Sequence, residues 1–173
     1  MLNQSQSNQG RSNQDQAKHV PAGTGRAYCG PGDRITYLIT GEETGGAFFM
    51  AEVSVAPGGG PPPHFHSRED ESFYLQQGTL TVQVGDKALN VSPGDFVHMP
   101  RGVMHSFKNV GEETAKLLMV ASPAGLENYF AETFFPAADA ADIPQLGPAV
   151  IARAMKTAPK YGLELLVPAG IRD

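Results

Sequence analysis

Two histidines separated by one residue, with acidic residues close behind them, have the composition of a metal-binding site. The stretch GGGPPPHFHSREDESFYLQQG, residues 58–78, contains His64, His66, Glu69, Asp70 and Glu71. On a β-strand alternate side chains lie on one face, so the two imidazoles would point the same way. Two imidazoles on one face can bind a single cation at nitrogen–metal distances of about 2.0–2.2 Å.

A third histidine follows about forty residues later, in the stretch GDFVHMPRGVMHSFKN at residues 94–109. His105, Phe107 and Asn109 alternate along this stretch and would share one face of a strand. If the two stretches face each other across a barrel, His105 brings a third imidazole to the first pair.

The segments around these histidines have the pattern of short β-strands. Between Arg34 and Ser122 the candidate strands are RITYLIT, AFFMAEVSV, ESFYLQ, TLTVQV, ALNV, FVHM, HSFKNV and AKLLMVAS. Gly- and Pro-rich stretches such as GEETGG, PGGGPPP and PGD provide turns between them. Short strands separated by frequent turns predict a sandwich or barrel rather than βαβ units.

The pattern becomes helical after Pro123. AGLENYFAETFF places a stripe at helical spacing that consists of Leu126, Tyr129, Phe130 and Phe134. PAVIARAMKTAPKYG predicts a second helix, with Pro148 at its start and Gly162 after its end. We expect both helices to pack on the outside of the barrel, where the aromatic stripe either docks against the strands or lines a ligand pocket.

Three parts of the chain are therefore expected: a disordered tail at residues 1–26, a barrel at 27–122, and a helical extension packed on the barrel at 123–173. The first sixteen residues are mostly Gln, Asn and Ser. Such a segment buries too little apolar surface to offset the entropy of ordering it.

Composition excludes several classes of partner. The net charge is −5 and no run of Lys or Arg occurs, which argues against nucleic-acid binding. The chain has no apolar stretch of about 20 residues and no secretory signal pattern, so we expect no membrane contact and a cytoplasmic location. A single cysteine, Cys29, allows no internal disulfide, and we expect it to be buried.

The two histidine stretches resemble the two motifs of the cupin family. The first runs Gly58-x5-His64-Phe65-His66-x4-Glu71-x6-Gly78, and the second Gly94-x5-Pro100-Arg101-Gly102-x2-His105-x3-Asn109. The resemblance implies a mainly β fold, the double-stranded β-helix or jelly-roll barrel of cupins. The chain is most similar in organisation to small single-domain bacterial cupins of the quercetinase-like type.

In cupins the two histidines and the glutamate of the first motif and the histidine of the second bind one metal ion, which implies the ligands His64, His66, Glu71 and His105. Glu69 and Asp70 compete for the carboxylate role on sequence alone. The motif register favours Glu71, and we expect the other two to be solvated loop charges. Three imidazoles and one carboxylate suit one divalent transition metal, namely Fe, Mn, Co, Ni, Cu or Zn.

Three further residues are candidates for contact with the metal ligands or with a bound molecule: His98, Phe73 and Phe107. His98 either donates a hydrogen bond that orients a ligand or is an ordinary surface side chain.

The resemblance also implies a function. It favours a metal-dependent dioxygenase acting on a small enolic or phenolic substrate, with Glu71 as the base that deprotonates it. The alternatives are a non-redox metal isomerase or decarboxylase, and a non-catalytic cupin that binds a small molecule. Homodimers formed by exchange of N-terminal strands are common among cupins, and we expect a homodimer here.

Overall fold

The computed structural model describes residues 17–30, 32–137 and 148–166, which fold mainly as β-strands. The strands are β1 Ala27–Cys29, β2 Asp33–Ile39, β3 Phe49–Val55, β4 His64–His66, β5 Asp70–Gln77, β6 Leu80–Val84, β7 Lys87–Val91, β8 Phe96–Met99, β9 His105–Asn109, β10 Ala115–Ser122, β11 Phe135–Pro136 and β12 Leu163–Leu165. The helices are α1 Gly41–Thr44, α2 Leu126–Thr133 and α3 Pro148–Thr157, and a 3₁₀ helix spans Ala158–Tyr161.

Within the described residues the strands form two antiparallel sheets. One has the order β11-β1-β2-β3-β10-β5-β8 and the other the order β12-β4-β9-β6-β7. Strands that are adjacent in sequence alternate between the sheets in several places, as in a jelly roll. The mainly β barrel predicted from the sequence is therefore confirmed.

The core lies between the two sheets because each strand buries alternate residues. In β3 the residues Phe49, Ala51, Val53 and Val55 are buried and those between them are partly exposed. β10 follows the same rule, and Leu117 is fully buried. This two-residue period is the pattern on which the strand predictions rested.

Asn109 joins three backbone segments at the end of β9. Its side-chain amide donates hydrogen bonds to the carbonyl oxygens of Val55, at 2.9 Å, and Glu113, at 2.8 Å. Its Oδ1 accepts a hydrogen bond from the amide of Gly111 at 2.9 Å. The side chain is almost completely buried, so this residue of the second motif has a structural role.

The loop that leads into β4 lies directly against β9, and Gly60 makes this contact possible. A Cβ atom at this position would lie 2.1 Å from the carbonyl oxygen of Phe107. Its φ of 131° is also in the region that favours glycine. The close approach brings His64 into register with His105 on the neighbouring strand.

The segment after Pro123 completes both sheets, which the sequence did not predict. β11 pairs with β1, and β12 pairs with β4 so that Leu163 lies opposite His66 and Leu165 opposite His64. The second helix begins at Pro148 as predicted. The first helix, α2, ends at Thr133. Phe134, the last residue of the predicted helical stripe, is therefore outside the helix and has an extended backbone.

The GEETGG segment at residues 41–46, predicted as a turn, contains the short helix α1, and Gly45 follows this helix in the left-handed conformation. Of the predicted disordered tail, residues 1–16 lie outside the described residues, as do 138–147 and 167–173 of the predicted extension. The three domain boundaries stay predictions, and so does the homodimer. No helix in the described part of the chain is long and apolar enough to cross a membrane.

We predict that Asn109→Ala lowers the free energy of unfolding by about 2–3 kcal/mol, because it leaves the carbonyl groups of Val55 and Glu113 and the amide of Gly111 without their partner. Urea denaturation followed by circular dichroism measures this. Asn90→Ala is the matched control, since Asn90 is exposed on β7 and its loss should cost less than about 0.5 kcal/mol. Equal effects of the two substitutions would contradict the structural role of Asn109.

Candidate metal centre

Four side chains from three strands converge inside the barrel. β4 provides His64 and His66, β9 provides His105, and β5 of the opposite sheet provides Glu71. One ligand atom from each of them lies within 4.8 Å of the others, and all four residues are buried. The structure thus brings together the four residues that the cupin resemblance implied as ligands, and the cluster could hold a metal ion.

Each imidazole of the cluster makes a hydrogen bond through Nδ1 to an oxygen atom that can only accept. The acceptors for His64, His66 and His105 are Pro62 O, Glu69 Oε1 and Val103 O, each 2.9 Å away. Nδ1 must therefore carry the proton in all three rings. In the neutral rings Nε2 then has its lone pair available for a cation.

The carboxylate of Glu71 lies next to two of these rings. Its Oε2 is 3.1 Å from Nε2 of His105 and 3.4 Å from Nε2 of His66. The ring centroids of the three histidines are 4.4 to 5.3 Å apart. Four donor atoms of this spacing surround a space that suits one cation rather than two.

The electrostatics of the cluster favour a positive charge at its centre. Desolvation, helped by the neighbouring His105, lowers the pKa of His64 to about 3, so this ring is neutral. Desolvation also lowers the pKa of His66, but the carboxylates of Glu69 and Glu71 outweigh it and raise the pKa to about 9. Burial raises the pKa of Glu71, yet the imidazoles of His105 and His66 hold it below its usual range.

One buried atom of the cluster supports the fit to a metal. Nε2 of His66 is shielded from solvent and has no hydrogen-bond partner in the part of the chain that the structure describes, because its 3.4 Å contact with Glu71 lacks hydrogen-bond geometry. A buried polar atom without a partner is costly unless a bound group satisfies it. Three imidazoles and one carboxylate are a donor set for a divalent transition metal, and four ligands leave positions open on a six-coordinate ion.

The expectation that Glu69 is solvated was wrong. Glu69 is only 3% exposed, and its carboxylate accepts the Nδ1 hydrogen bond of His66. The bend at Ser67 and Arg68 turns the chain back, so that the residue three positions after His66 lies beneath its ring. Strand alternation could not predict this because the segment is not extended there.

Asp70, the other acidic competitor, lies on the outer face of β5 and is partly exposed. Its carboxylate accepts hydrogen bonds from the backbone amide and the guanidinium of Arg101, at 2.9 to 3.1 Å. This pairing lowers the pKa of Asp70 to about 2. Asp70 therefore links the two motif segments and takes no part in the cluster.

His98 does not contact the metal ligands. It lies on the exposed face of β8, where its Nδ1 is 2.9 Å from the hydroxyl oxygen of Ser72. The buried face of β8 carries Val97 and Met99 instead. The interpretation of His98 as a residue that orients a ligand is thus wrong, and its alternative as a surface side chain holds.

A cavity of about 620 Å³ opens next to the cluster and extends along the barrel. His64, His66 and Glu71 form part of its wall, and Phe107 lies further along it. Phe73 does not line the cavity but packs edge-on against Phe107, with ring centroids 5.1 Å apart.

The extension after the barrel forms much of the cavity wall. Its lining residues include Leu126, Tyr129, Phe130, Phe134, Ile151, Met155 and Leu163. The aromatic stripe therefore both docks on the barrel and lines the pocket, the two alternatives that the sequence left open. The wall is mostly apolar, which suits a ligand with an apolar body.

Asp33 is one of several polar residues in this mostly apolar wall, with Thr81, Gln83, Ser106 and Lys108. Its Oδ1 is shielded from solvent and has no hydrogen-bond partner among the described residues, although the residue as a whole keeps some exposure. Burial raises the pKa of its carboxyl group to about 7. The sequence analysis did not single out Asp33, because an aspartate at the start of a strand is an ordinary turn residue.

Comparison with known proteins identifies relatives of the barrel. Residues 51–121 match the family model described as a cupin domain. Quercetin 2,3-dioxygenase of Bacillus subtilis is 28% identical over 100 residues, which cover 57% of this chain and 29% of that protein. The chain spans about a third to a half of the length of the curated relatives it matches.

Two solved structures have a similar fold. The polyketide cyclase RemF from Streptomyces resistomycificus is 28% identical with a TM-score of 0.55, and the match covers 62% of this chain and 80% of that one. KdgF from Halomonas sp. has a TM-score of 0.56 at 21% identity, with coverage of 63% and 96%. The second likeness concerns the fold alone.

We predict that Glu69→Gln weakens metal binding by about 10- to 100-fold, because the amide no longer holds the Nδ1 proton of His66 as a carboxylate does. The protein is purified without an affinity tag, stripped, and titrated with Co²⁺ against a competing chelator. Asp70→Asn is the matched control and should change the affinity less than threefold, since the carboxylate of Asp70 is hydrogen-bonded to Arg101 outside the cluster. An unchanged affinity in Glu69→Gln would contradict the role of Glu69.

We also predict that Asp33 lowers the stability of the fold at neutral and alkaline pH. The pKa of this carboxyl is about 7 in the folded protein, against an ordinary value of 3.8. Below about pH 4 the carboxyl is protonated in both the folded and the unfolded chain and costs no unfolding free energy. As the pH rises through 7, the unfolded chain holds the ionised form more easily, so the free energy of unfolding falls. Relative to Asp33→Asn, the wild type should lose roughly 2–4 kcal/mol of unfolding free energy between pH 4 and pH 8. If the unfolding free energies of the two proteins change with pH in parallel, the carboxyl of Asp33 is solvated and the prediction is wrong.

Proposed function

We propose that this chain, whose barrel is a cupin domain, is a metal-dependent dioxygenase that acts on a small enolic or phenolic compound. The observation that supports it most is the position of Glu71. Its carboxylate lies among three imidazoles and at the same time forms part of the wall of a large apolar cavity. A carboxylate so placed can reach both a bound metal and a bound organic molecule.

Glu71 is the residue that accepts the substrate proton in this proposal. Its lowered pKa keeps it ionised, so a carboxylate oxygen is free to accept a proton from a hydroxyl group that lies against it. The proton moves from the enol or phenol oxygen to a carboxylate oxygen of Glu71. Oε2 of that carboxylate lies 3.4 Å from Nε2 of His66 and 3.1 Å from Nε2 of His105, so the proton acceptor stands beside the imidazoles of the cluster.

A divalent metal bound by His64, His66, Glu71 and His105 would supply Lewis acidity and positions at which substrate and dioxygen meet. The reaction class balances without a further reductant, because a dioxygenase adds both atoms of O₂ to the organic molecule, which is itself oxidised. The residues of the chain hold the substrate oxygen at the cluster and keep bulk water away from it.

The cavity fits a substrate with a planar apolar body. Phe107 comes from the barrel, and Tyr129, Phe130 and Phe134 come from the extension. Aromatic walls favour aromatic ligands through offset and edge-on contacts. The similarity to quercetin 2,3-dioxygenase supports an enolic or phenolic substrate of this kind, at 28% identity over the matched region.

A second candidate function is a cyclisation of a polyketide without net oxidation. The similarity to the polyketide cyclase RemF supports it, since the match covers 80% of that structure. Glu71 would again act as the base, removing a proton from a carbon atom next to a carbonyl group. This alternative belongs with the non-redox metal enzymes considered from the sequence, and it needs no dioxygen.

We predict that the metal-loaded protein consumes oxygen when it is given a flavonol such as quercetin, and that Glu71→Gln abolishes this uptake. Under argon the wild type should bind quercetin as its anion, with an absorption band shifted to longer wavelength, because Glu71 takes the proton. Glu71→Gln, tested at saturating metal with the metal content measured, should bind the neutral form.

Asp70→Asn at saturating metal is the control and should keep the uptake, because it alters a neighbouring carboxylate outside the cluster and leaves Glu71 in place. Product formation under argon with no oxygen demand would support the cyclisation instead of the dioxygenase. Tight flavonol binding with no product in air or under argon would favour the non-catalytic binding protein.

A further inference from the structure

We propose that Asp33 binds a hydroxyl group of the ligand at the end of the cavity opposite to the metal centre. The proposal rests on the proposed function in one respect, namely that the other end of the ligand is bound at the His–Glu cluster. It makes the ligand an elongated molecule with an apolar body and polar groups at both ends.

The strand pattern directs the side chain of Asp33 into the cavity. Asp33 and Ile35 are two residues apart on β2 and therefore share a face. Ile35 and its cross-strand partner Val53 both line the cavity, and Asp33 lines it too. The carboxyl thus stands on the same wall as these two apolar side chains.

Strand register places Asp33 far from the metal centre. Asp33 lies opposite Val55 on β3. Glu71 lies opposite Ala121 on β10, and Ala121 lies opposite Phe49 on β3. Phe49 and Val55 are six residues apart, so the two carboxyl groups are offset along the strands by up to about 20 Å. Asp33 contacts neither the imidazoles nor Glu71 and must bind a different part of any ligand.

The missing partner of Asp33 indicates a ligand contact rather than a structural role. A structural carboxylate in a wall of this kind is normally hydrogen-bonded, as Glu69 is to His66 and Glu127 is to the amide of Gly41. Oδ1 of Asp33 is shielded and has no such partner in the described residues. A group from the ligand could supply it.

A hydroxyl group is the partner that this carboxyl fits best. The raised pKa means that both protonation states are populated near neutral pH. A hydroxyl can donate to the carboxylate and can equally accept from the carboxylic acid, so it satisfies Asp33 in either state. An aliphatic or purely hydrocarbon end would leave Oδ1 unsatisfied and would bind less well.

The test uses two flavonols that present the same chelating 3-hydroxy-4-keto group and differ in their remaining hydroxyls. Quercetin has several hydroxyls distant from that group, and 3-hydroxyflavone has none. Binding is measured by fluorescence under argon to full-length protein loaded with Zn²⁺, which is redox-inert, so that no turnover interferes. The variants are Asp33→Leu, Asp33→Asn and, as a control of equal charge change, Asp86→Asn on an exposed turn.

Asp33→Leu should weaken quercetin binding about tenfold and leave 3-hydroxyflavone within twofold of the wild type. Asp33→Asn keeps a hydrogen-bonding group and should lose less than threefold, and Asp86→Asn should have no effect. The melting temperature of each variant establishes that it is folded.

Equal losses for both flavonols, or no loss for quercetin, would overturn the role of Asp33 while leaving the proposed dioxygenase intact. If Asp33→Leu weakens quercetin binding alone, but the wild type consumes no oxygen with any metal, the role of Asp33 is supported and the proposed dioxygenase is contradicted. If neither flavonol binds the wild type, both proposals are contradicted.

Discussion

The candidate site depends on the proton that each of three imidazole rings carries on Nδ1. Every Nδ1 is fixed by an oxygen acceptor that lies outside the cluster, two of them backbone carbonyls and one the carboxylate of Glu69. The proton cannot move to the other nitrogen without losing this bond. The same bond sets the orientation of each ring, so that all three Nε2 atoms face the small space next to Glu71. Without these acceptors the same four residues would be an ordinary buried polar cluster.

The fold holds these acceptors in place from both sides. Pro62 lies in the loop whose close approach to β9 requires Gly60, and Val103 belongs to the turn before β9. On its other edge β4 pairs with β12, and the amide of Leu166 donates a hydrogen bond to the carbonyl of Pro63 at 2.7 Å. A strand of only three residues would be weakly held by one neighbour. The extension therefore stabilises the strand that carries two of the ligands.

The sequence predicted those features that follow from strand alternation and from the motif spacing. These are the barrel, the common face of His64 and His66, and the meeting of both with His105. The sequence did not predict features that depend on a bend in the backbone or on pairing between strands far apart in the chain. Glu69 lies beneath His66 because of a bend, and β12 reaches β4 across almost a hundred residues. The sequence left the face of His98 open for a related reason, since alternation fixes which residues share a face but not which face is buried.

The two ends of the cavity have different origins in the chain. All four residues of the cluster lie in the segment 51–121 that matches the cupin family model, whereas Asp33 and the aromatic stripe lie outside it. An unsatisfied buried polar group costs about 1–3 kcal/mol, a large share of the 5–15 kcal/mol that stabilises a typical domain. A leucine at position 33 would avoid this cost and fill the wall. The matched segment thus carries the candidate metal centre, and residues outside it form much of the cavity wall beside that centre.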